Sequence, residues 1–192
     1  MPWRDTRHNR QLRTRQTLRR RATLLDTIFY SVNNIIMSQR EPTVFQKIWE
    51  GDIPSYQLYR NDTHGLLAML DIHPATPGHT LVVPEEAVDL WTNLPDRRIL
   101  QATLLGNFVG RHLQTILNPL RVTKHTIGFG VPHIHDQYVA SYIRGDTANL
   151  YDPERMKAPV DHGELAQMHD ILTFPDQLQA EVDAALDATN VW

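Results

Sequence analysis

The 192-residue chain is 41% apolar and 21% charged and contains no cysteine. It has material for one globular domain with flanking extensions, and disulfide scaffolds, thiol catalysis and Cys-ligated zinc are excluded. Its net charge of −3 joins two unlike parts, since residues 1–21 hold eight Arg against one Asp, a local +7, and residues 22–192 carry −10. No run approaches the roughly 18 consecutive apolar residues of a membrane span, because Asp26, Asn33 and Asn34 interrupt the best stretch at 22–37, so the chain is expected to be soluble.

Composition divides the chain into a basic and amphipathic extension over 1–42, a mixed body over 43–145 and an acidic extension over 146–192. In the first, Leu24, Leu25, Ile28, Phe29, Val32, Ile35 and Ile36 fall at helical spacing, which predicts an amphipathic helix over 22–38. The body opens with three β-type runs, Gln57–Arg60, Leu66–Ile72 and His79–Pro84, separated by Asn61-Asp62 and by Pro74, Pro77 and Gly78, an antiparallel meander. From Asp96 to Leu117 the apolar residues Ile99, Leu100, Leu104, Leu105, Phe108, Leu113 and Ile116 predict a long helix, with Asp96 as N-cap and Pro119 beyond its end. Two further β-type runs, Arg121–Ile127 and His133–Ile143, are joined by Gly128-Phe129-Gly130. The class is α+β, a five-stranded antiparallel sheet with one long and one short helix. Residues 161–192 hold seven acidic residues and no Lys or Arg, and their apolar positions on either side of Pro175 predict two short surface-packed helices.

The segment Gly128-Phe129-Gly130-Val131-Pro132-His133-Ile134-His135-Asp136-Gln137 carries the most chemistry. Side chains alternate along a strand, so His133, His135 and Gln137 share one face, about 6–7 Å apart per two residues. The preceding glycines offer backbone N–H groups to an anion. Three readings compete. The histidines sit on a solvated strand face; the His-x-His pair chelates zinc, iron or manganese with a third ligand from elsewhere; or His135 is a nucleophile at phosphorus. The metal reading lacks a nearby Glu, and the facing amide is a poor ligand.

This segment resembles the histidine triad superfamily signature, His-φ-His-φ-His on a strand with the middle His as nucleophile. The run Thr43-Val44-Phe45-Gln46-Lys47-Ile48-Trp49-Glu50-Gly51-Asp52-Ile53-Pro54 is similar to that family's opening segment. Leu67 to Pro84, with Asp71-Ile72-His73-Pro74 at its centre, resembles its nucleotide-binding strand pair. Together the motifs cover about 43–143 in the family's order. The resemblance implies a nucleotide-binding catalytic domain over 43–145. Val44, Phe45, Ile48, Met69 and Ile72 would line an apolar base slot, Asp71 would accept from the ribose hydroxyls, Gly130 and Val131 would contact the nucleotide, and His79 would orient the imidazoles. Ordinary core packing is the competing account of the apolar set, and capping that of His79. Lys124, His125 and Arg144 are the nearest cations for a polyphosphate leaving group, whereas His64, His73, His112, His162 and His169 read as surface or turn residues.

Two departures from the pattern matter. The third triad position is Gln137, as in galactose-1-phosphate uridylyltransferases and some dinucleoside polyphosphate phosphorylases, which weighs transfer against hydrolysis. Gly130 stands where many relatives place Ser or Thr. Some members bind structural zinc through Cys near the opening segment; Thr43 and Gln46 occupy those places, so no metal site is expected.

The resemblance implies that neutral His135 attacks the α-phosphorus of a nucleoside polyphosphate, dinucleoside polyphosphate or phosphoramidate, giving a nucleotidyl-histidine. An imidazole with an unperturbed pKa near ~6.5 is mostly unprotonated at neutral pH, and a backbone carbonyl can orient its far nitrogen. The Gly128–Val131 amides, Gln137 and His133 would stabilise the phosphoryl oxygens. Water is favoured as the acceptor because no second, sugar-binding domain is seen. Nucleotidyl transfer or phosphorolysis, and a nucleotide-binding sensor with little turnover, are the alternatives. No cofactor is expected to be required, although a divalent metal can accompany a polyphosphate substrate. A homodimer through helix and sheet edge is expected, with no specific nucleic-acid partner. A cytoplasmic location is expected, with mitochondrial import the alternative if residues 1–36 are translated. The Arg cluster also suits anionic lipid or nucleic acid through charge alone, and Met37 is an alternative start.

Overall fold

The computed structural model describes residues 41–191. The Arg-rich arm expected over 1–21 and the amphipathic stretch over 22–38 lie outside the described residues. The elements in chain order are α1 (Val44–Glu50), β1 (Gln57–Asn61), β2 (Leu66–Leu70), β3 (Thr80–Pro84), α2 (Asp96–Leu117), β4 (Arg121–Thr126), β5 (Asp136–Ser141), α3 (His162–Leu172) and α4 (Asp176–Asp187). The strands form one antiparallel sheet in the order β1-β2-β3-β5-β4, the α+β architecture the sequence predicts.

β2 and β3 are buried along their whole length, which is why both read as continuous apolar runs rather than alternating ones. Each face packs on different partners. On one, Leu67, Met69, Leu81 and Val83 pack with Phe45, Ile48 and Trp49 of α1. On the other, Leu66, Ala68, Leu70, Val82 and Tyr138 pack with Ala102, Leu105, Val109 and Leu113 of α2. The approach of α2 to β5 depends on a glycine, because a Cβ at Gly106 would collide with the ring and hydroxyl of Tyr138. Pro95, not Asp96, holds the α2 cap position, and Asp96 is the first helical residue, where its charge suits the positive end of the helix dipole. The helix stops at Asn118, which is left-handed at φ 47°, and Pro119 follows.

The acidic tail is less superficial than its composition suggests. Leu165, Leu172, Phe174, Val182 and Leu186 belong to the same core as α2 and the sheet, and the Phe174 N–H donates to the Leu58 carbonyl at 2.9 Å. His64, expected as a surface or turn residue, lies in the turn between β1 and β2 but is buried under this tail, with Nε2 2.8 Å from Asp187 Oδ1 and Nδ1 3.1 Å from Gln101 Nε2. No described helix is long and apolar enough to cross a membrane.

Candidate active site

The run His133–Ile143 is strand only from Asp136 to Ser141. His133 and His135 lie in the bend before it, because the His133 N–H donates to the Val131 carbonyl at 2.8 Å and the Ile134 N–H to the Val88 carbonyl at 2.6 Å. These loop bonds take the place of a ladder, so pairing with β4 starts at Thr126 opposite Asp136. Both imidazoles nevertheless sit against α1, their ring centres 5.4 Å and 4.9 Å from that of Phe45. Gln137 is in register with Leu81, on the α1 face, so His133, His135 and Gln137 do converge.

Hydrogen bonds fix the protons on both rings. His133 Nε2 lies 2.7 Å from the Pro84 carbonyl, which only accepts, so this nitrogen carries the hydrogen. Nδ1 then accepts from the Thr43 hydroxyl at 3.0 Å. Thr43 caps α1 in a reciprocal box with Gln46, its Oγ1 also accepting the Gln46 N–H at 3.2 Å. Burial pushes the His133 pKa down to about 4. His135 Nδ1–H donates to the His133 carbonyl at 2.8 Å, leaving Nε2 bare and 3.5 Å from the Gln137 amide nitrogen, a long contact at the limit of a hydrogen bond. Burial lowers the His135 pKa from the ordinary imidazole value, so the ring is neutral at pH 7.

His79 is fully buried on the same face. Its Nδ1 accepts the Ala75 N–H at 3.2 Å and lies 3.4 Å from Asp71 Oδ2. That separation has the look of an ion pair, yet burial pushes the His79 pKa down to about 4, so the ring is neutral at pH 7 and its proton sits on Nε2. Among the described residues, His79 Nε2 and Gln137 Oε1 are buried with no hydrogen-bond partner. Asp71, just past β2, accepts the His73 N–H on Oδ1 at 2.9 Å and Arg155 Nη1 on Oδ2 at 3.3 Å; the same guanidinium also donates to the His73 carbonyl.

The expected base slot divides in two. Phe45, Ile48 and Met69 are buried in the core on the α1 face, whereas Val44 and Ile72 are 40% and 46% exposed, so only these two present apolar surface outward. Gly130 is exposed, has no positive φ, and a Cβ there would meet nothing within 4 Å, so neither backbone geometry nor packing demands glycine at this position. Val131 packs partly on the α1-face core. A cavity of about 160 Å³ is lined by Asp71, Ile72, His79 and Arg155 but not His135. Of the three candidate cations, Lys124 pairs with Asp136 at 2.8 Å and is in register with Tyr138 on the α2 face. Arg144 lines a separate depression with Leu120 and Arg121, and His125 alone is in register with Gln137. Sequence reasoning missed Arg155, which has no signature, and the Thr43 contact, whose S/T-x-x-Q box was readable.

The HIT domain family model matches residues 50–138, and Protein hit of Bacillus subtilis is 33% identical over 111 residues, 55% of this chain and 75% of that protein. The chain belongs to the HIT family. A HIT-like protein of Borreliella burgdorferi is 44% identical over 54 residues, which make up 28% of this chain and only 37% of that protein. Among solved structures, a HIT family protein from Bacillus subtilis aligns at TM-score 0.52 and 28% identity over 61% of this chain and 91% of that one. A zinc-bound histidine triad family protein from Mycobacterium smegmatis shares the fold at TM-score 0.56 and 24% identity, over 74% and 96% of the two chains. In this HIT domain the Thr43 hydroxyl is engaged by Gln46 and His133, and an amide stands at Gln46; neither is a zinc donor of the usual kind. Among the described residues no three His, Cys, Asp or Glu side chains converge to hold a metal ion.

Proposed function

We propose that this HIT-family protein cleaves nucleoside polyphosphates, dinucleoside polyphosphates or phosphoramidates through a nucleotidyl-histidine at His135. The observation that carries the reading is the His135 tautomer, with Nδ1–H held by its own chain and Nε2 bare beside Gln137. His135 Nε2 forms a bond to the α-phosphorus as the bond to the leaving group breaks, and the displaced electron pair departs with that group. The Gln137 amide N–H groups, held only by the long contact to His135 Nε2, and the unpartnered N–H on His79 Nε2 are donors suited to phosphoryl oxygens. In the second half, a water oxygen bonds to phosphorus as the P–N bond breaks, the electron pair of that bond returns to His135 Nε2, and the proton lost by the water passes to solvent.

Gln137 also ranks the substrates. A neutral amide has no proton to give, and both ring nitrogens of His133 are engaged, so a leaving group of low pKa such as a polyphosphate is favoured over an amine. The same feature favours a second reading, nucleotidyl transfer or phosphorolysis, because an anionic acceptor needs no base whereas water does. Rapid quench with an α-labelled dinucleoside polyphosphate should trap acid-labile label on wild type and none on His135→Ala. Products formed with and without inorganic phosphate then assign the acceptor. Turnover without labelled protein, or label retained by His135→Ala, removes the nucleophile assignment.

A further inference from the structure

The segment after β5 is tied to the β2–β3 connection at several points. Asn149 Nδ2 donates to the Ala75 carbonyl at 3.1 Å, the Tyr142 hydroxyl donates to the Pro77 carbonyl at 3.2 Å, and Leu150 is buried with Ala75 and Val139. These contacts set Arg155 beside Asp71. The two side chains are each 14% exposed, so their pairing is shielded from the screening that weakens surface ion pairs. A carboxylate has about four acceptor positions, two on each oxygen. The His73 N–H takes one on Oδ1 and Arg155 takes one on Oδ2; His79 Nδ1, 3.4 Å from Oδ2, carries no hydrogen to donate, which leaves one on each oxygen. Two donors held side by side, as in a vicinal diol, match that remainder. A cavity of about 160 Å³ adjoins the carboxylate.

We infer that Arg155 is a positioning residue for ribose recognition, holding the Asp71 carboxylate so that one acceptor position on each oxygen is free for the 2′- and 3′-hydroxyls. This rests on the nucleotide-binding reading given above. A competing latch, in which Arg155 blocks the carboxylate until nucleotide displaces it, would call for a guanidinium across both oxygens. Here Arg155 touches Oδ2 alone, and the same nitrogen bonds the His73 carbonyl.

Equilibrium binding of adenosine and guanosine 5′-monophosphates and their 2′-deoxy counterparts tests the inference on the full chain. Wild type should prefer the ribonucleotides. Arg155→Ala should weaken ribonucleotide binding by about tenfold, the scale of one hydrogen bond to a charged group, and the 2′-deoxy compounds, which keep the 3′-hydroxyl, by about threefold on the same scale. Arg155→Lys keeps a cationic donor group and should recover most of the loss. In an Asp71→Asn background, Arg155→Ala should no longer change the preference. If wild type binds none of the four nucleotides, the nucleotide-site reading fails and the inference falls with it. If wild type prefers ribose but Arg155→Ala weakens both classes equally, or tightens the ribonucleotides, the inference alone is overturned.

Discussion

Acidification should unfold this protein in a window set by two histidines. Burial holds His79 and His133 in the neutral form, each with a pKa of about 4 in place of 6.5. Their protonated forms are disfavoured in the native state, so between those values the unfolded chain binds more protons and stability rises with pH. The stabilisation is complete above pH 6.5, is lost as pH falls, and stops changing below about 4. Near pH 5.5 each group differs by about 0.9 proton between the two states, which gives roughly 2.5 kcal/mol per pH unit for the pair. Urea unfolding, followed by tryptophan fluorescence at pH 7.0, 6.0, 5.5 and 5.0, measures that slope above the range in which ordinary carboxylates titrate. His133→Asn should reduce the slope by about 1.2 kcal/mol per pH unit. A slope below about 0.5 kcal/mol per pH unit in wild type, or one unchanged in His133→Asn, would refute the claim that these imidazoles are buried neutral.

Thr43→Val removes the α1 cap, worth about 1 kcal/mol, and leaves His133 Nδ1 buried without a donor, a further 1–3 kcal/mol or so. Denaturant unfolding should show a loss of about 2–4 kcal/mol, against about 1 for a cap with no second partner. Gly106→Ala, which favours a helix by about 1 kcal/mol at an open position, should instead destabilise by about 2 kcal/mol because its methyl meets the Tyr138 ring; a higher melting temperature would show that the helix moves away freely.

The strands and long helix were legible because burial writes simple periods into sequence. β2 and β3 are buried on both sides and appear as unbroken apolar runs, and α2 repeats its apolar residues toward one face. The site was legible in its residue types but less so in its shape. His133, His135 and Gln137 alternate in the sequence whether the first two lie on a ladder or in an extended bend, and loop bonds to Val131 and Val88 select the bend. The burial of His64 was not legible because nothing local announces the tail that covers it. Arg155 lies 84 residues from Asp71, and such a pairing depends on how the segment after β5 folds back, which no local pattern encodes. Thr43 was noticed only as the position of a missing cysteine, although its spacing from Gln46 already marked a helix cap.

The sheet's two faces have opposite energetic characters, and the contrast bears on function. The α1 face keeps His79 Nε2 and Gln137 Oε1 buried and unpaired, at about 1–3 kcal/mol each, against a total stability of roughly 5–15 kcal/mol for a typical domain. The opposite face buries Leu172, Phe174, Val182 and Leu186 of the tail completely or nearly so, at about 1.5–3 kcal/mol per large side chain before the cost of ordering the chain. The tail thus supplies stabilisation of the scale that the unpaired groups remove, and it does so without touching the imidazoles. A ligand that brings phosphoryl oxygens to the His79 N–H and a donor to the Gln137 carbonyl removes that penalty on binding. An apolar replacement of Gln137 by Leu should therefore raise stability while abolishing turnover, and a Gln137→Leu protein that is less stable than wild type would show that the amide is held by packing rather than kept for a ligand.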